Sequence, residues 1–177
     1  MADNGRRIVG APLPGATLPY LPLFRPGPGQ GGQIEGWILS PFILGVATHY
    51  CRGRTQPCTR HLDDCEGCDF WKKSPRWDGF IGVLAKLTRK VAIFQVTKGA
   101  ADACESLEAA DTLRGRYVSL RRRGESAEGR VVMSLREEPY RGVLPPAPNV
   151  PGALERLWSV NPAYIGRAII SEERMVE

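Results

Sequence analysis

Apolar positions along this 177-residue chain fall in short blocks separated by stretches rich in proline, glycine or charge, and most blocks alternate with the period of strands. Residues 34–50, IEGWILSPFILGVATHY, are dense in β-formers but broken at Ser40-Pro41 and Gly45. Pro41 has no N–H for a central ladder, so the pattern predicts strand, bend or bulge, strand. In residues 79–97, Phe80, Gly82, Leu84 and Lys86 alternate with Ile81, Val83 and Ala85, and the run Leu87–Lys90 turns the chain into a return strand, Val91–Val96. The period then changes. Ala101, Cys104 and Leu107 are three residues apart, predicting a helix within 99–113 whose buried stripe holds Cys104 and Leu107. GRYVSLRRRG and GRVVMSLRE, joined through Gly124 and Gly129, predict a second hairpin, and the balance of elements predicts a mainly β fold in a curled sheet or barrel.

The two ends have a different texture. The 20 glycines and 15 prolines concentrate there, in APLPG, LPYLPLF and RPGPGQGG at one end and YRGVLPPAPNVPG towards the other. We therefore divide the chain into an extended Pro/Gly-rich arm over 1–33, a body over 34–138, and a Pro-rich linker with a short amphipathic helix and tail over 139–177. ALERLWSV, residues 153–160, is the helix, and Ile165, Ile169 and Ile170 are available to dock the tail. The glycine run at 27–32 lacks the Lys and Ser/Thr that contact phosphate and magnesium in a nucleotide loop. No apolar run reaches the roughly 18 residues of a membrane span, and MADNGRR is not followed by a signal-type apolar segment, so a cytoplasmic protein with no membrane partner is expected.

Four of the five cysteines lie between Cys51 and Cys68, in CRGRTQPCTRHLDDCEGC. Their local clustering and the expected reducing compartment favour a metal over disulfides, and thiolates with imidazole are the donors that Zn²⁺ takes up tetrahedrally. Cys65 and Cys68 form a C-x-x-C chelating pair; Cys58 and His61 share that spacing. Two ligand sets compete: Cys51, Cys58, Cys65 and Cys68, or the same set with His61 in place of Cys51. The four-cysteine set is preferred, because three residues between His61 and Cys65 leave a cramped link. His49 ends an apolar run and is assigned to packing or a hydrogen bond.

The net charge of +5 is unevenly spread: residues 50–98 hold ten basic and five acidic groups. Excess positive charge beside the metal loop suits a polyanion. Binding a single strand without sequence preference takes cations along the phosphates and flat rings for the bases. Trp71, Lys72, Lys73, Arg76 and Trp77 interleave both within seven residues. Lys86, Arg89 and Lys90 crowd the tip of the central hairpin, and alternation puts Tyr117, Arg121 and Arg123 on one face of the last one. Trp37 and Trp158 are assigned to packing.

The order strand pair, metal loop, hairpin, helix ADACESL, hairpin LRGRYVSLRRRGESAEGRVVMSL resembles the OB fold over residues 34–137. More narrowly it is similar to the single-stranded-DNA-binding proteins of phages and mobile elements that carry a zinc subdomain. The resemblance implies a partly open five-stranded barrel with a connecting helix and an inserted zinc-binding loop. It also implies non-catalytic binding of single-stranded nucleic acid, DNA being the expected form. The SEERMVE ending departs from the acidic tail of the replicative type. Catalysis is not expected: six local donor candidates can close all four positions that a catalytic zinc would keep partly open. A deaminase would need His-x-Glu upstream of Pro-Cys-x-x-Cys, which is missing here. The alternative function is a zinc-containing structural or adaptor subunit, with protein partners on the arm at 12–28 and the tail at 145–170.

Overall fold

The computed structural model of the chain describes residues 20–29, 32–60, 64–104, 112–126 and 129–159. Eight strands form one mixed sheet: β1 (Leu23–Phe24), β2 (Ile34–Ile38), β3 (Leu44–Cys51), β4 (Arg54–Pro57), β5 (Arg76–Ala85), β6 (Val91–Thr97), β7 (Tyr117–Arg122) and β8 (Val131–Arg136). Two α-helices, α1 (Lys98–Asp102) and α2 (Val150–Trp158), and a π-helical turn at Glu66–Phe70 complete the described elements. The main path runs β1-β6-β5-β2-β7-β8, with β3 pairing β4 and β5, and among the described residues no ladder joins its two ends. None of the described helices is long and apolar enough to cross a membrane.

The break at Ser40-Pro41 shapes the sheet. Both Leu39 N–H, at 2.8 Å, and Ser40 N–H, at 3.3 Å, donate to Gly82 O, and Ser40 Oγ accepts from Gly82 N–H at 2.8 Å. The predicted bend is therefore present, and it changes the strand's neighbours. Before it, β2 pairs with β5 and β7; after it, β3 pairs with β5 and β4. The β3–β4 hairpin is thus paired to β5 and not to β7, and it carries His49, with Cys58 just beyond it.

Strand β5 is apolar on both faces. Ile81, Val83 and Ala85 point into the curled sheet with Ile38, Phe94 and Val118, while Phe80 on the other face meets Leu44, Val46 and Ile93. Continuous apolar runs arise when a strand is covered on both sides. The second cover comes from the chain ends: β1 adds parallel to β6 and buries Leu23, and α2 lays Val150 and Leu154 on the same cluster. Asn149 caps α2 by accepting from Gly152 N–H at 3.0 Å, and Trp158 meets Phe80 edge to face at 5.5 Å. The arm and the C-terminal helix share a core with the body, so the divisions at 33 and 138 mark changes of texture, not of packing. Leu154 is 0% exposed, and Leu154→Ala is expected to cost about 2–5 kcal/mol in a urea titration. A loss under about 0.5 kcal/mol would mean that α2 is not part of the core.

Both predicted hairpins are present. The helix expected over 99–113 is described only as α1, with Cys104 buried just after it; Leu107 lies outside the described residues, as do His61 and the tail isoleucines.

Candidate metal centre

A tight hairpin builds the first half of the site. Arg52 and Gly53, between β3 and β4, both have positive φ, +50° and +77°, the backbone that matches the twist of a two-residue β-turn. His49 stands on β3. Cys58 follows β4 and is held opposite Ala47, its N–H donating to Ala47 O at 2.8 Å. The second half is the knuckle Cys65-Glu66-Gly67-Cys68, which runs into the π-helical turn. Asp69 clamps it, with Cys65 N–H donating to Asp69 Oδ2 at 2.7 Å and Asp69 N–H to Cys65 O at 2.7 Å. A Cβ on Gly67 would overlap the His49 ring, so the close approach of knuckle to strand demands glycine there.

Together these elements bring His49, Cys58, Cys65 and Cys68 within 4.8 Å of one another through their ligand atoms. Sγ of Cys58 lies 3.7 Å from that of Cys68 and 3.9 Å from that of Cys65, and Cys68 Sγ is 3.4 Å from His49 Nε2. Donors around one tetrahedral ion at ordinary zinc bond lengths would be about 3.8 Å apart for two sulfurs and about 3.6 Å for sulfur and nitrogen. The spacing fits, and the four side chains can hold a metal ion. His49 is buried, and its Nδ1 has no hydrogen-bond partner among the described residues.

Protonation follows from the surroundings. Burial pushes the Cys58 thiol up to about 12, helped by the neighbouring Cys65 and Cys68, and raises Cys68 too. Burial would also raise Cys65, but backbone N–H groups of Cys68, Thr59 and Gly67, with the Thr59 hydroxyl, outweigh it and draw this thiol down to about 7. Burial and the Lys73 charge lower His49, leaving the imidazole neutral as a ligand must be. A cation would therefore find Cys65 the most readily ionised of the three thiols and displace protons from the other two.

The ligand set expected from sequence is corrected at one position: His49 stands where Cys51 was placed. Cys51 is buried at 1% exposure but pairs with Arg54 beside the turn. Strand rise puts it about 6.6 Å beyond His49, away from Cys58.

The residues expected to meet nucleic acid divide between two places. Trp71 is 41% exposed on the segment leaving the metal turn, beside exposed Lys72, Lys73 and Arg76. Phe70, 73% exposed, meets it edge to face at 5.3 Å, and Lys73 Nζ stands 5.9 Å from the Trp71 ring. Trp77 is different: its half-buried ring lies over Gly45 and Gly79, a cross-strand glycine pair that it covers.

The second place is the outer face of β2, β7 and β8. Register sets Tyr117 against Arg136, Ser119 against Ser134 and Arg121 against Val132, with Arg123 and Arg130 joined beyond by their backbones. Tyr117 itself is 1% exposed and offers no stacking surface, because Trp37 packs on it at 5.3 Å and Lys86 Nζ donates to its hydroxyl at 2.8 Å. Lys86, Arg89 and Lys90 sit at the exposed β5–β6 turn, with Arg89 5.5 Å from the centroid of the Trp37 ring. Arg136, opposite Tyr117, follows from strand alternation, whereas the packing of Tyr140 on Trp37 at 5.1 Å carries no periodic signal. Comparison with protein-family models, curated proteins and solved structures finds no match to this chain.

Proposed function

We propose that the protein binds single-stranded nucleic acid without catalysis, DNA being the expected form, over the outer face of β2, β7 and β8. One observation carries this reading: Arg121, Arg123, Arg130 and Arg136 are exposed along one hairpin, and none has an acidic partner among the described residues. Arg121, Arg123 and Arg130 are neighbours at one end of the hairpin with Arg136 at the other, and a phosphate backbone running along it would meet positive charge at both ends. Trp71 and Phe70 add rings on which bases can stack. The connectivity supports an OB-like body. With β2 and β3 taken as one bent strand, the order β6-β5-β2-β7-β8 is that of a five-stranded Greek-key barrel with α1 between its third and fourth strands. The metal hairpin and knuckle are then an insertion after the first strand. Zinc is the ion we assign, since three sulfurs and one imidazole form a closed set of the softness it prefers.

Fluorescence anisotropy with labelled single-stranded DNA, single-stranded RNA and duplex, across a salt series, tests the reading. If four arginines each neutralise a phosphate, affinity for a single strand falls with a log–log slope of about −3, or about 50-fold between 50 and 200 mM salt. Reversing Arg121 and Arg123 to Glu should halve that slope. Affinity that ignores both salt and these reversals would end the proposal. The adaptor reading has one observation in its favour, the exposed Phe42 and Phe70, whereas the described apolar residues of the arm and of α2 pack on the chain's own sheet.

A further inference from the structure

A cleft of about 460 Å³ opens between the β5–β6 turn and residues 138–141, lined by Trp37, Lys86, Arg89, Glu138, Tyr140 and Arg141. Its aromatic part is rigid. Trp37 meets Tyr140 at 5.1 Å and Tyr117 at 5.3 Å, both edge to face, and donates from Nε1 to Glu138 O at 2.9 Å, which ties segment 138–141 to β2. The rest of the lining holds three cations against one carboxylate, Glu138, with Pro139 between Glu138 and Tyr140. Lys86 is held by the Tyr117 hydroxyl and, at 3.6 Å, by Glu35, and these two contacts raise its ammonium above the ordinary value, keeping it charged at neutral pH. Arg89 and Arg141, both exposed, have no acidic partner among the described residues.

Flat rings fixed beside three cations are the recognition elements for a base and a phosphate joined in one molecule. The volume lies within the range of small-molecule sites, about 300–1,000 Å³. We propose that this cleft binds one nucleotide, its base against the partly exposed Tyr140 ring, which the buried Trp37 braces, and its phosphate on Arg89, Arg141 and Lys86. The inference rests on the strand-binding reading only for the class of ligand. A free nucleoside monophosphate and the phosphorylated end of a strand present the same chemistry, and the cleft joins the arginine face at the Tyr117 and Arg136 rung.

Calorimetry on the full chain with AMP, adenosine and inorganic phosphate tests it, beside oligonucleotides with and without a 5′-phosphate. AMP should bind about tenfold or more tighter than either of its parts, and Tyr140→Ala and Arg141→Ala should each weaken it about tenfold. Arg141 is exposed, so its loss should leave the unfolding midpoint and metal content unchanged, and Arg121→Glu should weaken the oligonucleotide while sparing AMP. Preference for the 5′-phosphorylated oligonucleotide would identify a strand end as the source. AMP binding with no such preference would identify the free nucleotide. AMP binding with no oligonucleotide binding at all supports the cleft and removes the strand reading. No AMP binding, with oligonucleotide affinity indifferent to Tyr140→Ala and Arg141→Ala, overturns the cleft and leaves the strand reading standing.

Discussion

Cys65→Ser is expected to abolish metal loading and to free residues 58–73 from the β3–β4 hairpin, whereas Cys51→Ser should leave the metal content of the chain unchanged. The contrast follows from geometry, since Cys65 lies inside the four-donor group and Cys51 outside it. Between Cys58 and Lys73 the buried described residues are the two cysteines Cys58 and Cys65 and Gly67, so among the described residues no large apolar side chain anchors the segment in place of an ion. Structural zinc binding contributes about 10–16 kcal/mol in small zinc peptides. An ion held by these four donors would act on one loop, since both apolar clusters lie elsewhere. Chelation should therefore open the loop to proteolysis while the strand signal in circular dichroism persists. Elemental analysis should give about one ion per parent chain and per Cys51→Ser chain, and almost none for Cys65→Ser and His49→Ala. Gly67→Ala should fall with the second pair, because the added methyl group drives the knuckle off the imidazole. Loss of the ion from Cys51→Ser as complete as from Cys65→Ser would refute the assigned donor set.

The cysteine knuckle and both hairpins were legible because each is written locally, in spacing or in alternation. The exchange of Cys51 for His49 was not. Sequence distance favours the cysteine nearer the others, but a two-residue turn folds β4 back so that Cys58 lies opposite Ala47, and the alternate residue that then reaches it is His49. Trp77 illustrates a second limit. Its basic neighbours marked it as solvent-facing, yet Gly45 and Gly79 leave a bare patch on the sheet that the indole covers, and no local pattern announces a cross-strand glycine pair. Tyr117 was placed on the correct face by alternation, but its depth depends on Trp37, eighty residues earlier in the chain. Proline and glycine dominate the arm's composition, which carries no strand period. The β1–β6 ladder, the buried Leu23, Phe24 on Phe94 and the hydrogen bonds of Arg25 nevertheless draw this segment into the fold.

Arg25 leads to the other large effect, since Asp78→Ala is expected to cost about 1–3 kcal/mol, the range for leaving a buried hydrogen-bonding group without its partner. Asp78 is 2% exposed and accepts hydrogen bonds from the Thr48 hydroxyl and, at 3.0 Å, from Arg76 Nε. Arg25 enters the same outer face from the arm, donating to the Gln95 side chain and, at 2.6 Å, to Thr55 Oγ1. Burial pulls its guanidinium below the ordinary value and the charge of Asp78 opposes that pull, so carboxylate and arm are matched electrostatically. Without Asp78, Thr48 loses its acceptor at 0% exposure and two guanidinium groups lose their counter-charge. Asp78→Asn separates the two losses, since it keeps an acceptor and removes the charge; it should destabilise less than alanine but more than a surface change. A double-mutant cycle with Arg25→Ala, read from urea midpoints, should show a coupling of about 0.5–3 kcal/mol. Additive effects would mean that Arg25 and Asp78 do not couple and that the arm docks through its β1 ladder and the packing of Leu23 and Phe24.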